Sequence, residues 1–219
     1  MLQTEGIIYL SEKRECFQTE TFRSYITLPN SESTSSFSSL IKFADNTLAA
    51  QKASMLLADD DYVVMLLPLV GAVEIFYQNE NKIVNSGELA YFSVKNQDEI
   101  VIQNPYEIEL INYLEIWIKP KRKMPYGQYF YKFDLEKNAN SLFQITENQL
   151  VEKVFIGKFG GREEGSLPIE KSAFTFIISG AFEVQNRLLE ARTGLSLWNL
   201  NELAFEGLSY ENIILVLTD

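Results

Sequence analysis

The 219-residue chain contains no histidine. That absence removes the usual general base near neutral pH, the commonest imidazole ligand for zinc or iron, and every Ser–His or Cys–His nucleophile pair. Cysteine is almost missing as well. Cys16 stands alone, so no intrachain disulfide can form and nothing points to an oxidising compartment. With only Arg14 close by, Cys16 reads as an ordinary thiol. Long apolar runs are absent too. The most apolar stretch, Tyr62–Val73, is interrupted by Pro68 and is too short to span a bilayer. The first residues lack the basic region and apolar stretch of a signal peptide, so the expected location is the cytoplasm, with no membrane partner. Positive charge is scarce: 19 Lys and Arg face 30 Asp and Glu, for a net charge of −11. A surface that acidic repels phosphate backbones and argues against direct nucleic-acid binding.

What is present is β-forming and core-forming. Hydrophobic residues make up 46% and aromatics 13%, enough to build a sizeable core. The length suits one large β domain or two compact ones. Short apolar runs recur between turn residues: Gly6–Leu10, Tyr62–Leu67, Val73–Tyr77, Leu89–Val94 and Ile100–Gln103. After a polar, proline-containing segment they resume at Val154–Phe159, Phe174–Ile178, Ala181–Val184, Leu195–Leu200 and Ile213–Leu217. Residues 30–39 read as a serine-rich loop, and a short helix is expected around 148–152.

The clearest alternation covers Glu107–Lys119. Ile108, Leu110, Leu114, Ile116 and Ile118 fall on one side, and Glu107, Glu109 and Glu115 on the other beside Ile111, Tyr113 and Trp117. This predicts a half-buried strand, either long and bent or broken by a bulge near Asn112. Residues 119–127 (KPKRKMPYG) read as a linker, with Lys121, Arg122 and Lys123 as a solvated basic cluster. The expected domains are therefore residues 1–120 and 121–219.

An internal echo supports two similar domains. Residues 69–75 (LVGAVEI) resemble 178–184 (ISGAFEV), with Gly71 and Gly180 lying 109 residues apart. Gly87 and Gly194 follow at a separation of 107. Glu74 and Glu183 read as the polar members of alternating strands. The glycine-rich stretch 157–165 (GKFGGREEG) lacks the Gly-Lys-Ser/Thr of a phosphate loop, carries Glu163 and Glu164, and reads as a hairpin turn.

Taken in order, GIIYLSEKRECFQTETFRSYITL, IKFADNTLAA, LLPLVGAVEI and KFGGREEGSLPIEKSAFTFIISGAFEV resemble the pirin family. The resemblance implies an all-β bicupin, two small antiparallel β-barrel (cupin or jelly-roll) domains packed together. It also implies iron in the N-terminal barrel, held by three histidines and a glutamate. Some relatives resemble quercetin dioxygenases, and eukaryotic ones act as transcription cofactors. Counting from Gly71 and from Gly87-Glu88 carries the ligand positions onto Leu57, Asp59, Ile100 and Ile102, with Val63 where some relatives have a further glutamate. One carboxylate among aliphatic groups cannot hold iron, copper or zinc. No cofactor and no catalytic residue are therefore expected, and Leu57, Ile100 and Ile102 are expected to point inward. Asp59, Asp60 and Asp61 lack the spacing of a calcium loop and read as a solvated turn. The leading expectation is a bicupin with a lost metal site that binds an apolar small molecule or a protein partner in a regulatory role. The alternative is a quercetin 2,3-dioxygenase-like oxygenase with an atypical metal site.

Overall fold

A computed structural model describes residues 4–28, 39–120, 125–146 and 152–218. In chain order the strands are β1 (Gly6–Tyr9), β2 (Glu15–Gln18), β3 (Phe22–Leu28), β4 (Leu40–Leu48), β5 (Ala53–Leu57), β6 (Tyr62–Val70) and β7 (Ala72–Tyr77). They continue with β8 (Glu80–Asn85), β9 (Glu88–Val94), β10 (Glu99–Gln103), β11 (Ile111–Ile118), β12 (Gly127–Lys132), β13 (Ser141–Gln144) and β14 (Lys153–Phe159). The last are β15 (Glu164–Pro168), β16 (Ser172–Ser179), β17 (Ala181–Val184), β18 (Arg187–Glu190), β19 (Gly194–Trp198), β20 (Glu202–Gly207) and β21 (Asn212–Thr218). The only helical turn among the described residues is a 3-10 turn at Ser11–Lys13. No helix there is long and apolar enough to cross a membrane.

The strands form two compact units. The first takes β2 to β12, in a seven-stranded sheet ordered β12-β9-β6-β11-β4-β3-β2 and a four-stranded sheet ordered β5-β10-β7-β8. The second takes β1 and β13 to β21, in a six-stranded sheet ordered β1-β19-β16-β21-β14-β13 and a four-stranded sheet ordered β15-β20-β17-β18. Apart from β2, which has no counterpart in the second unit, the two orders match strand for strand, so the duplication seen in sequence is a duplication of topology. The unit boundary corrects the expected one at 120/121. It falls between Phe133 and Asp134, because β12 completes the first unit beside β9. Residues 4–14 leave the N-terminal unit altogether, since β1 pairs with β19.

Turn chemistry explains the match. Gly71 and Gly180 carry φ of +77° and +74°, and a Cβ at Gly180 would lie 2.5 Å from Asn212 Oδ1, so both the backbone angle and the space demand glycine. The β7–β8 and β17–β18 hairpins both turn on a Gln-Asn pair, Gln78-Asn79 and Gln185-Asn186. All four residues have positive φ, as a type I′ turn requires. The Gly87–Gly194 part of the echo does not hold: Gly87 turns at φ +85°, whereas the matching turn uses Arg192 at φ 65° and Gly194 begins a strand.

Alternating strands bury their inner faces in two separate cores. Val64, Leu66, Val73, Ile75, Phe92, Ile100 and Ile102 belong to the first; Phe159, Phe182, Leu195, Leu197, Phe205 and Val216 belong to the second. Glu74 and Glu183 face outward between buried neighbours, as alternation requires. Two local expectations need correction. The Glu107–Lys119 strand begins only at Ile111, leaving Ile108 83% exposed, although the ladder does shift register between Asn112 and Tyr113. Residues 157–165 turn a corner between two sheets, because β14 pairs with β13 and β21 while β15 pairs with β20. Residues 121–123, 30–38 and 148–151 lie outside the described residues.

Candidate functional site

β4 and β11 run side by side through the first unit. Their inward positions pair as Lys42 with Trp117, Ala44 with Glu115, Asn46 with Tyr113, and Leu48 with Ile111. The result is a polar stripe inside an otherwise apolar barrel. Glu115 is 1% exposed. Its Oε1 accepts from Lys42 Nζ at 2.6 Å and from Trp117 Nε1 at 2.6 Å, and its Oε2 accepts from Asn46 Nδ2 at 2.7 Å. Three donors on one carboxylate make its burial tolerable, because each replaces a lost water contact. Deeper along the stripe, the Tyr113 hydroxyl sits beside Asn46 and Ser54 but makes no hydrogen bond of normal geometry. Burial, with Glu115 nearby, pushes that hydroxyl well above the usual tyrosine range.

The stripe opens at an exposed cleft of about 330 Å³ whose walls include Ile41, Lys42, Leu57, Asp59, Tyr62 and Trp117. The Tyr62 and Trp117 rings meet edge to face, with centroids 5.3 Å apart. Lys42 Nζ lies 5.9 Å from the Trp117 ring centroid and Lys119 Nζ 5.2 Å from that of Tyr62, within cation–π range. Tyr62 donates to Asp59 Oδ1 at 2.9 Å. Burial pushes the Tyr62 hydroxyl up to about 12, and the hydrogen bond to Asp59 adds to the effect. Lys119 pairs with Asp60 and holds that carboxyl below its usual range. In the second unit a larger open hollow of about 620 Å³ sets Glu164, Glu183 and Glu206 side by side across β15, β20 and β17. Like charges in register there oppose one another, and Arg162 pairs with Glu206.

The positions counted from sequence do not converge. Ile100 and Ile102 are in the interior, 1% and 0% exposed. Leu57 is 57% exposed and lines the cleft instead, because β5 pairs Leu56 with Ile100 and Ser54 with Ile102. The expectation that Leu57 points inward with Ile100 and Ile102 is therefore corrected, since neighbouring residues of a strand face opposite sides. Asp59 stands on the cleft wall, and Val63 is buried on β6 but outside the interior cluster that holds Tyr62 and Val64. On β5 and β10 the inward side chains are Ser54, Leu56, Ile100 and Ile102, with Ala58 just beyond β5. A single hydroxyl among aliphatic groups does not fit an iron site of three histidines and a glutamate. Among the described residues no three His, Cys, Asp or Glu side chains group closely enough to hold a metal ion.

No family model matches the chain, and no curated protein matches its sequence. Solved structures do. YhhW from Escherichia coli superposes with a TM-score of 0.84 at 15% identity, over 98% of both chains. The fold is that of a pirin-like bicupin. A second structure, bacterial pirin YhhW in complex with nickel(II), gives the same TM-score over 98% of this chain and 99% of that one. Quercetin 2,3-dioxygenase from Acinetobacter baumannii follows at 0.78 and 12% identity, over 99% of this chain and 86% of that one. At such identities the likeness is one of fold.

Within that bicupin fold, the polar stripe and the aromatic cleft escaped the sequence reading. Alternation alone places Glu115 on the solvated side of a half-buried strand and gives no reason to group it with Lys42, Asn46 and Trp117. The available signal was a lone acidic residue inside INYLEIWI, a run apolar enough for a strand buried on both faces.

Proposed function

We propose that the first unit is a metal-independent binding module for a planar, largely apolar small molecule with an acceptor or anionic group for Lys42. The observation that carries this is the Tyr62–Trp117 cleft, with Lys42 fixed at its floor by Glu115. The rings offer flat apolar surface, and Lys42 has protons left beyond the one given to Glu115. In a Trp198→Phe background Trp117 is the sole indole, since the chain has two tryptophans. Titration with quercetin and with simple aromatic acids should quench its emission saturably, and Lys42→Met should weaken binding about tenfold. Absence of saturable quenching by any of these probes overturns the reading.

A second reading, a quercetin 2,3-dioxygenase-like oxygenase with an atypical metal site, takes support from the likeness to the Acinetobacter enzyme. Loading with iron, copper, nickel or manganese, followed by dialysis, separates the two. Near-stoichiometric retained metal with oxygen uptake on quercetin favours the oxygenase.

A further inference from the structure

β5 is an edge strand, hydrogen-bonded to β10 on one side and flanked by no other described strand on the other. Its backbone parity is fixed by two contacts: Ala58 N–H donates to Asp98 O at 3.0 Å, and Asn104 N–H donates to Lys52 O at 2.9 Å. Even-numbered residues therefore turn their amides and carbonyls toward β10. Those of Ala53, Met55 and Leu57 point away from the sheet. Natural edges are usually blunted by charge, proline or a bulge. β5 (ASMLL) has no charged residue and no proline, and its ladder with β10 runs without a register shift. Its counterpart in the second unit, β15 (EGSLP), has both Glu164 and Pro168.

The outer face next to this edge is apolar around Met55, with Glu99 beside Leu57 and Gln103 beside Ala53 at its ends. Met55 is 60% exposed, Leu57 57% and Phe76 36%, and Val101 pairs with both Met55 and Phe76. Charge is distributed unequally along the strand: Lys52 precedes it, and Asp59, Asp60 and Asp61 follow it. A parallel neighbour of the same sequence would set lysine against lysine and the acidic turns against each other. An antiparallel copy sets Lys52 of each chain toward the acidic turn of the other.

We infer that the β5 edge is a self-association surface, at which two copies of this chain pair antiparallel about a two-fold axis at Met55. Met55 then faces Met55, and Ala53 faces Leu57, each pair exchanging two backbone hydrogen bonds through the groups now turned outward. The apolar row Phe76–Val101–Met55 continues across the axis into its own copy. Because Leu57 and Asp59 also wall the cleft, the second chain's residues 51–53 would form part of the cleft's rim. This inference does not depend on what the cleft binds.

Sedimentation velocity of the full chain tests it. The wild type should dimerise at micromolar concentration. Met55→Lys, at an exposed side chain, should keep the circular dichroism of the wild type and weaken association about tenfold or more through like charges directly opposed. In a Cys16→Ser background, Met55→Cys should oxidise to a disulfide dimer, since Cα atoms of such a pair lie about 5.5 Å apart. Ile83→Cys, on the opposite edge of the sheet, should not. A wild type that stays monomeric, a Met55→Lys variant that associates as well as the wild type, or equal cross-linking at 55 and 83 overturns the inference.

Discussion

The two units share one topology and differ in what they bury. In the second, the inward positions of β14 and β21 pair Phe155 with Val216, Gly157 with Ile214 and Phe159 with Asn212. Asn212 there is a structural pin: its Oδ1 accepts from Ala181 and Ser209 amides, and its Nδ2 donates to the Phe159 carbonyl at 3.0 Å. The first unit has a similar pin in Asn104, whose Nδ2 donates to the Leu48 carbonyl at 3.0 Å, and adds the stripe of Lys42, Asn46, Tyr113, Glu115 and Trp117. Both halves keep the pin; the second unit's own buried carboxylate, Glu152, stands just before β14 and not within this stripe. The difference therefore separates residues that serve the architecture in both halves from residues that give one half a distinct chemistry.

The comparison breaks most visibly at Glu115. Glu115→Ala strands the Lys42 ammonium, the Trp117 N–H and the Asn46 amide, and should cost about 3 kcal/mol in urea denaturation. Trimming the second unit's apolar stripe by one methylene, with Ile214→Val, should cost about 1 kcal/mol. Equal losses would mean that the buried ion pair contributes no more than ordinary packing.

Asp98 gives a smaller, pH-dependent effect confined to the first unit. Burial opposes its ionisation. The Lys95 amide and the Tyr77 and Tyr126 hydroxyls, at 2.8 to 2.9 Å, outweigh burial and hold its pKa below the usual range. A depressed carboxylate stabilises the fold above its unfolded pKa, near 3.9, and loses that contribution as pH falls through the folded value. Asp98→Asn should lower stability at pH 7 by about 1–2 kcal/mol and leave it little changed at acid pH, as read from melting curves at several pH values. A constant difference across the series would show that the loss is not one of charge.

The smallest effect belongs to Tyr113→Phe, which should shift stability by less than about 1 kcal/mol, because the hydroxyl it removes makes no hydrogen bond of normal geometry. A larger loss in thermal denaturation would assign the hydroxyl a working bond to Asn46 or Ser54.

The fold was legible because strand alternation and turn residues are local signals. Ala181–Val184 was read to the residue, and Gly71 and Gly180 mark the same turn in both units. The Gln-Asn turns were equally local and went unread. The site was less legible because it depends on pairing. Nothing in the sequence places Lys42 opposite Trp117, and a count along the chain could not separate Leu56 from Leu57 without the β5–β10 register. The β11 reading failed for a related reason: residues 107–110 extend its apparent alternation although no strand forms there.

The placement of β1 has a consequence for synthesis. β1 is made before every other strand described, yet Gly6 pairs with Leu197 and Tyr9 with Gly194, so its partner emerges only after β18. The first unit can close in the meantime, drawing all its strands from residues between Glu15 and Lys132. β1 must wait unpaired, and its pairing with β19 has one of the longest sequence separations among the described strands. Contacts of that range carry a large loop-closure cost and form slowly. The last slow step of folding is therefore expected to be the docking of β1, an apolar GIIY segment that is open to misassembly or to a chaperone until β19 exists.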